Sequence, residues 1–250
     1  MAVIYPFGEG ATEKVVFEFL KTKLKDGKFR QFNVVDGKHN FPNKIKSVVK
    51  SEVEAKRDDI RIVAFRDLDD GENINDILNS FQKIVHELLT SWGTNPGAEE
   101  IVPQSVYKWE VTKDKKHPEF KFVLHIAKID GLKISLRNQT TDAYILQLGL
   151  SEYVLKRFAT ESKVGSDYKI VRELITSSLP DLIAQNGITF DEDKDYLAAY
   201  LVATRFWVIK RTEEQARLIK IILERGWRHN REGFEEIFDS WIRAINEVIE

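Results

Sequence analysis

Apolar positions along this chain of 250 residues alternate between two rhythms. Short apolar runs read as buried strands: "AVIYPF" (2–7), "QFNVV" (31–35) and "IRIVAF" (60–65). Between them the spacing changes to three and four. Val16, Phe17, Leu20 and Leu24 mark one face of a helix over 13–25, which Gly27 is expected to end. Pro42 suits the first turn of a second helix, which Ile45, Val48, Val49 and Val53 carry to about residue 56. Ile77, Leu78, Phe81, Ile84, Val85 and Leu88 give a third helix over 74–89. Strands alternating with helices predict an α/β fold: a mostly parallel sheet with helices on both faces.

Residues 94–118 are mixed and polar and carry no assignment, whereas "EFKFVLHIAKI" (119–129) predicts a further strand and 141–158 a helix. "TESKVGS" (160–166) interrupts the pattern, which places a boundary between an α/β domain over 1–160 and a helical C-terminal region over 166–250. In that region helices are expected over 167–178, 195–210, 213–225 and 231–249. The segment 195–210 is apolar nearly all round, as a central enclosed helix would be, and Gly226 is expected to stop the helix before it.

The formal net charge of −2 gives no global field toward nucleic acid or membrane, so an anionic substrate would need local basic groups. Without cysteine there is no disulfide, thiol nucleophile or thiolate metal site, and the five histidines lack zinc spacing. No apolar run approaches a membrane span and the N-terminus lacks the layout of a secretory signal. A cytoplasmic location is expected, and the Asn138-Gln139-Thr140 sequon reads as chance.

The chemistry gathers at two strand ends. In a doubly wound sheet ligands bind outside the carboxyl ends of the strands. Glu9 follows the first strand between Gly8 and Gly10; Asp67 and Asp69 follow the third. If those strands are neighbours, three carboxylates share one crevice. Side chains two apart on an extended segment point the same way, and paired hard oxygens suit Mg²⁺. The bland alternative is solvated turn residues, since "DLDDG" is also good turn chemistry. A calcium loop fails on register, because Gly71 stands at the fifth position rather than the sixth. Lys38, after the second strand, is either a phosphate contact at the same edge or a turn lysine. Glu13, Asp70 and Asp142 read as first-turn helix carboxylates. Arg225, Trp227, Arg228 and Arg231 form a weak candidate nucleic-acid contact, with an interhelical turn as the alternative.

"FGEGATEK" followed by "VAFRDLDDG", each after a strand and about sixty residues apart, resembles the Toprim domain of topoisomerases, bacterial primases, OLD-family nucleases and RecR-type recombination proteins. The resemblance spans roughly residues 2–130 and is nearest to OLD-like and small Toprim proteins. It implies that Glu9 does general acid/base work and that Asp67 and Asp69 bind Mg²⁺ or Mn²⁺. It departs from the family at Tyr5-Pro6-Phe7, where aliphatic residues are usual, and it does not reach the helical region. The function expected is a Mg²⁺-dependent nuclease acting on DNA or RNA. The alternative is a non-catalytic nucleic-acid- or protein-binding module with the helical region as partner surface; phosphoryl transfer on a small nucleotide is a weaker third.

Overall fold

The computed structural model describes residues 2–24, 28–132, 134–156, 168–203 and 212–250. The expected stop at Gly27, the 160–166 boundary and the end of the 195–210 helix lie outside them. By chain packing the molecule forms two compact units: residues 1–128 with 239–250, and residues 129–238. The division does not follow the boundary expected near 160–166. The helical segment interrupts the α/β unit, whose last helix is supplied by the C-terminus.

The α/β unit contains β1 (Val3–Gly8), α1 (Ala11–Lys21), β2 (Lys28–Phe29), β3 (Asn33–Val34), α2 (Phe41–Glu54), β4 (Asp59–Arg66), α3 (Ile74–Leu89), β5 (Glu99–Val102), β6 (Val106–Val111) and β7 (Glu119–Ile126). The sheet order is β2-β1-β4-β7-β6-β5, with β3 also paired to β1. All pairings from β2 to β7 are parallel; β7–β6 and β6–β5 are antiparallel. The central strands are the long apolar runs that the sequence pattern predicts. β5 and β6 occupy the stretch it left unassigned.

Of the second expected strand, 31–35, only β3 forms, with β2 a separate short piece before it, and Pro6 explains the break between them. The carbonyls of Ile4 and Gly8 accept from Arg30 and Val35, and Asn33 Nδ2 donates to the Pro6 carbonyl at 3.1 Å. A strand residue's N–H lies on the same side as its C=O, so the donor that Pro6 lacks faces the β2–β3 side. There β2 pairs with Val3 and Ile4, and β3 with Phe7 and Gly8, leaving the proline in the gap. The β4 ladder on the other side is uninterrupted.

The two faces differ. One presents Tyr5, Phe7, Ile62, Phe122 and Trp109 to α2 and α3 in a continuous apolar core. The other carries Arg61, Phe65, Lys121 and His125, all buried. It packs against α1, through Phe17, and against the C-terminal helix α10 (Asp239–Ile249; α4 to α9 are defined below). Trp241 stacks on Phe65 with ring centroids 4.1 Å apart. Ser240 Oγ lies 3.0 Å from His125 Nε2. Arg61 donates to the carbonyls of Val248 and Ile249 at 3.2 and 2.7 Å, capping the end of the helix.

The helical unit contains α4 (Thr141–Gly149), a further helical turn at 152–156, α5 (Tyr168–Glu173), α6 (Leu179–Gln185), α7 (Asp193–Ala203), α8 (Thr212–His229) and α9 (Arg231–Ile237), with a wider π-type turn joining α5 to α6. Three expectations need correction. Gly226 does not stop α8: a Cβ there would come within 2.5 Å of Leu148, so the glycine admits close packing on α4. The helix expected over 231–249 breaks at Phe238, and its two halves belong to different units. In α7, Tyr196, Leu197, Tyr200 and Leu201 are buried, but Lys194, Ala198 and Val202 form an outward stripe, so the helix is not enclosed on every side. Asn138 accepts from the Asp193 N–H at 3.2 Å, which gives the sequon residue a structural role. Among the described residues no helix is long and apolar enough to cross a membrane.

Candidate functional site

The geometry of the site begins with register. β1 and β4 are parallel neighbours, with Gly8 opposite Phe65, so the residues after each strand emerge side by side. The turn after β1 carries Glu9. Gly8 is required by packing: an added Cβ would meet Phe32 at 2.5 Å and Glu13 Cβ at 2.9 Å. Gly10 is the N-cap of α1, and its N–H donates to Glu13 Oε2 at 2.7 Å. Glu13 is therefore the first-turn helix carboxylate expected, and it is buried.

After β4 the chain turns tightly. The Glu72 N–H donates to the Asp69 carbonyl at 3.1 Å, the Asp69 N–H donates to Glu72 Oε2 at 3.2 Å, and Gly71 takes φ +74°. This turn sets Asp67, Asp69 and Glu72 around the end of β4. Across from them, Asp36 and Gly37 both adopt positive φ and deliver Lys38 to the same edge.

Glu9, Lys38, Asp67 and Asp69, chosen from the sequence, come together here, and the structure adds two residues that sequence reasoning missed. Arg66 is the organiser. Its side chain is 4% exposed; it pairs with Glu9, donates to the Asp67 carbonyl, and reaches both Glu72 oxygens at 2.8 and 2.6 Å. Glu72 also accepts from Lys38 Nζ at 2.6 Å, and Asp69 accepts from it at 2.9 Å. The available signal was a lone arginine closing an apolar strand directly before a run of acids.

The electrostatics follow. Glu9 uses Oε1 to accept from Arg66 and, at 3.3 Å, from the Asp67 N–H. Among the described residues its Oε2 has no hydrogen-bond partner. Burial pushes the Glu9 carboxyl above its ordinary range, although the Arg66 charge and the Asp67 N–H pull it back. The hydrogen bonds that Lys38 donates to Glu72 and Asp69 raise its pKa. Among the described residues, Arg66 and Lys38 are shared by three carboxylates, Glu9, Asp69 and Glu72, with Asp67 on the same turn. Among the described residues no three acidic or histidine side chains stand in a ready metal-holding group. The reason is visible in the pairing: Arg66 and Lys38 draw Glu9, Asp69 and Glu72 toward themselves. The donor chemistry, hard carboxylate oxygens on Glu9, Asp67 and Asp69, is of the kind a divalent cation takes.

The basic cluster in the helical unit is more dispersed than its sequence suggests. Trp227 packs edge-on against Phe234 at 5.3 Å, while Arg231 lies over its ring at 4.6 Å and pairs with Glu235 at 2.8 Å. Arg228 is exposed; Arg225 is half-buried with its Nη1 atom fully enclosed. The indole is thus occupied by protein partners on two sides. No protein-family model, no curated protein and no solved structure matches this chain.

Proposed function

We propose that this chain is a metal-dependent nuclease, hydrolysing phosphodiesters of DNA or RNA in the cytoplasm at a Toprim-like site. The observation that carries the reading is the convergence of Glu9 with Asp67 and Asp69 at the carboxyl ends of two adjacent parallel strands. Asp67, Asp69 and Glu9 would hold Mg²⁺ or Mn²⁺. The metal, when bound, supplies charge neutralisation at the scissile phosphate and a more acidic water.

The remaining work belongs to side chains. Glu9 is anchored through Oε1, which leaves Oε2 to take or give a proton, and a carboxyl raised by burial is suited to that task. Arg66 is a positioning residue that fixes the Glu9 and Glu72 carboxylates. Lys38 supplies a half-exposed positive charge at the rim, where exchange of its Asp69 partner for a phosphate oxygen orients the substrate.

A second reading, a non-catalytic module binding nucleic acid or protein, draws on the same ion pairs, because Arg66 and Lys38 already partner three of the carboxylates. A protein partner would meet the helical unit at its exposed apolar residues Ile170, Leu174 and Leu182. Calorimetry with Mn²⁺ separates the readings when paired with cleavage assays on single- and double-stranded DNA and RNA. The nuclease reading expects heat and metal-dependent cleavage in the wild type and neither in Asp67→Asn/Asp69→Asn. Equal heat from both proteins, or none from either, removes the metal site.

A further inference from the structure

A pocket of about 430 Å³ opens beside the carboxylate crevice, between the start of α2 and the first turns of α3. Its floor is apolar, formed by Pro42 with the buried Ile77, Phe81 and Ile84. Its rim is polar and asymmetric. Lys38, Arg66 and Glu72 line the side shared with the crevice, while His39, Asp76 and Ser80 stand exposed elsewhere on the lining. Lys38 belongs to both places, because its Nζ lies 2.9 Å from Asp69 Oδ2.

This profile discriminates between occupants. A phosphate group, strongly hydrated and anionic, would be badly placed on aliphatic and phenylalanine side chains. It belongs at the rim, where the half-exposed Lys38 lies. A flat heteroaromatic ring has the complementary needs: apolar contact on its face, and hydrogen-bonding partners at its edge such as the Ser80 hydroxyl and the Asp76 carboxylate. The volume lies near the small end of ligand pockets, which run from roughly 300 to 1,000 Å³. It has room for one nucleotide and not for a stacked pair.

We infer that this pocket receives the single nucleotide adjoining the scissile phosphate, with its base withdrawn from any stack, so that the substrate is an unpaired strand or strand end and not an intact duplex. The inference rests on the nuclease reading. Its physical content is cost. A duplex would have to surrender base pairing and stacking to fill the pocket, a cost that a single strand is largely spared.

Ser80 permits a clean test. It is exposed on α3 and takes no part in the Glu9–Arg66–Glu72–Lys38 network. In the full-length protein, Ser80→Trp plugs the pocket and Ser80→Leu plugs it partly; matching thermal midpoints establish that both fold. The probes are a short single strand carrying 2-aminopurine, the same strand in a duplex, thymidine monophosphate and Mn²⁺. Wild type should bind and cut the single strand in preference to the duplex, with 2-aminopurine emission rising as the base leaves its neighbours. Ser80→Trp should weaken binding of both the strand and the mononucleotide by roughly tenfold or more while leaving Mn²⁺ uptake unchanged. Preference for the duplex, or a wild-type cleavage rate in Ser80→Trp, overturns the pocket while the nuclease reading stands. Absence of Mn²⁺ uptake in wild type removes the nuclease reading instead. The mononucleotide titration then decides the pocket: binding lost in Ser80→Trp supports it, and no binding, or equal binding by both proteins, overturns it.

Discussion

Glu9 is held by one oxygen, and among the described residues the other has no hydrogen-bond partner. Glu9→Gln keeps an acceptor for Arg66 and for the Asp67 N–H, so folding should survive. What it removes is the proton-exchanging group. General acid–base catalysis is typically worth about 10²–10⁴-fold, and the cleavage rate should fall by that order, with Mn²⁺ uptake weakened less than in Asp67→Asn/Asp69→Asn because an amide oxygen and both aspartates remain. If cleavage continues at the wild-type rate in Glu9→Gln but stops in Asp67→Asn, the metal site stands and the proton-transfer role is withdrawn. A second residue titrates in the opposite sense. His125 is wholly buried, which lowers its pKa to about 3, so it is neutral in the folded state. The unfolded chain, with an ordinary imidazole near 6.5, takes up a proton first. Stability from this group is therefore complete above about pH 6.5 and is lost as pH falls toward about 3. Between about pH 7.5 and 5 the loss should be about 2 kcal/mol by urea denaturation. His125→Gln should flatten that limb; an unchanged slope would mean that other groups carry it.

At the scale of elements, the long apolar runs were legible because burial on both faces leaves no polar alternation to misread. β4 and α3 emerge almost residue for residue. β5 and β6 were not, since both are short and "EEIV" and "VYKWEV" set charged residues among their apolar ones without a clean alternation. The site divided along similar lines. Glu9, Asp67 and Asp69 were readable from their places after strands, whereas Arg66 reads as one more charged residue until the fold sets it between two carboxylates. The allegiance of α10 was unreadable for a further reason: its 3–4 spacing shows an apolar face but not what that face covers. The contacts supply the answer, and they are strong. Trp241→Ala removes the ring stacked on Phe65 and should cost about 3–5 kcal/mol. Arg243→Ala, on the same helix but paired only with Asp239 at its exposed face, should cost less than about 0.5 kcal/mol. Similar losses for the two variants in urea would mean that α10 is not seated on the sheet as described.

At the scale of the whole molecule, the last twelve residues decide what can fold alone. Residues 1–128 carry the sheet and the carboxylate crevice, but one sheet face then holds Phe65, Arg61, Lys121 and His125 without the helix that buries them. Arg61 would lose the two carbonyls it caps, and Lys108 its pairing with Glu247 at 3.0 Å. Both cations keep carboxylate partners within residues 1–128, Arg61 with Asp59 and Glu119 and Lys108 with Glu99 and Glu110, so the larger loss is the cover itself, and an uncovered aromatic face favours association. A chain ending at residue 128 should therefore be aggregation-prone, and one ending at 160 should fare no better despite containing every strand. A chain that joins residue 128 to residue 239 through a flexible Gly/Ser linker should restore a cooperative urea transition. Its Trp241 emission should be blue-shifted, as expected for a ring stacked on Phe65. It should also take up Mn²⁺ as the full chain does, because every residue of the crevice lies within 9–72. A cooperative transition and blue-shifted tryptophan emission in the 1–160 chain would show that the sheet folds without α10. The boundary read from "TESKVGS" would then be the true folding boundary, and the C-terminal helix an accessory.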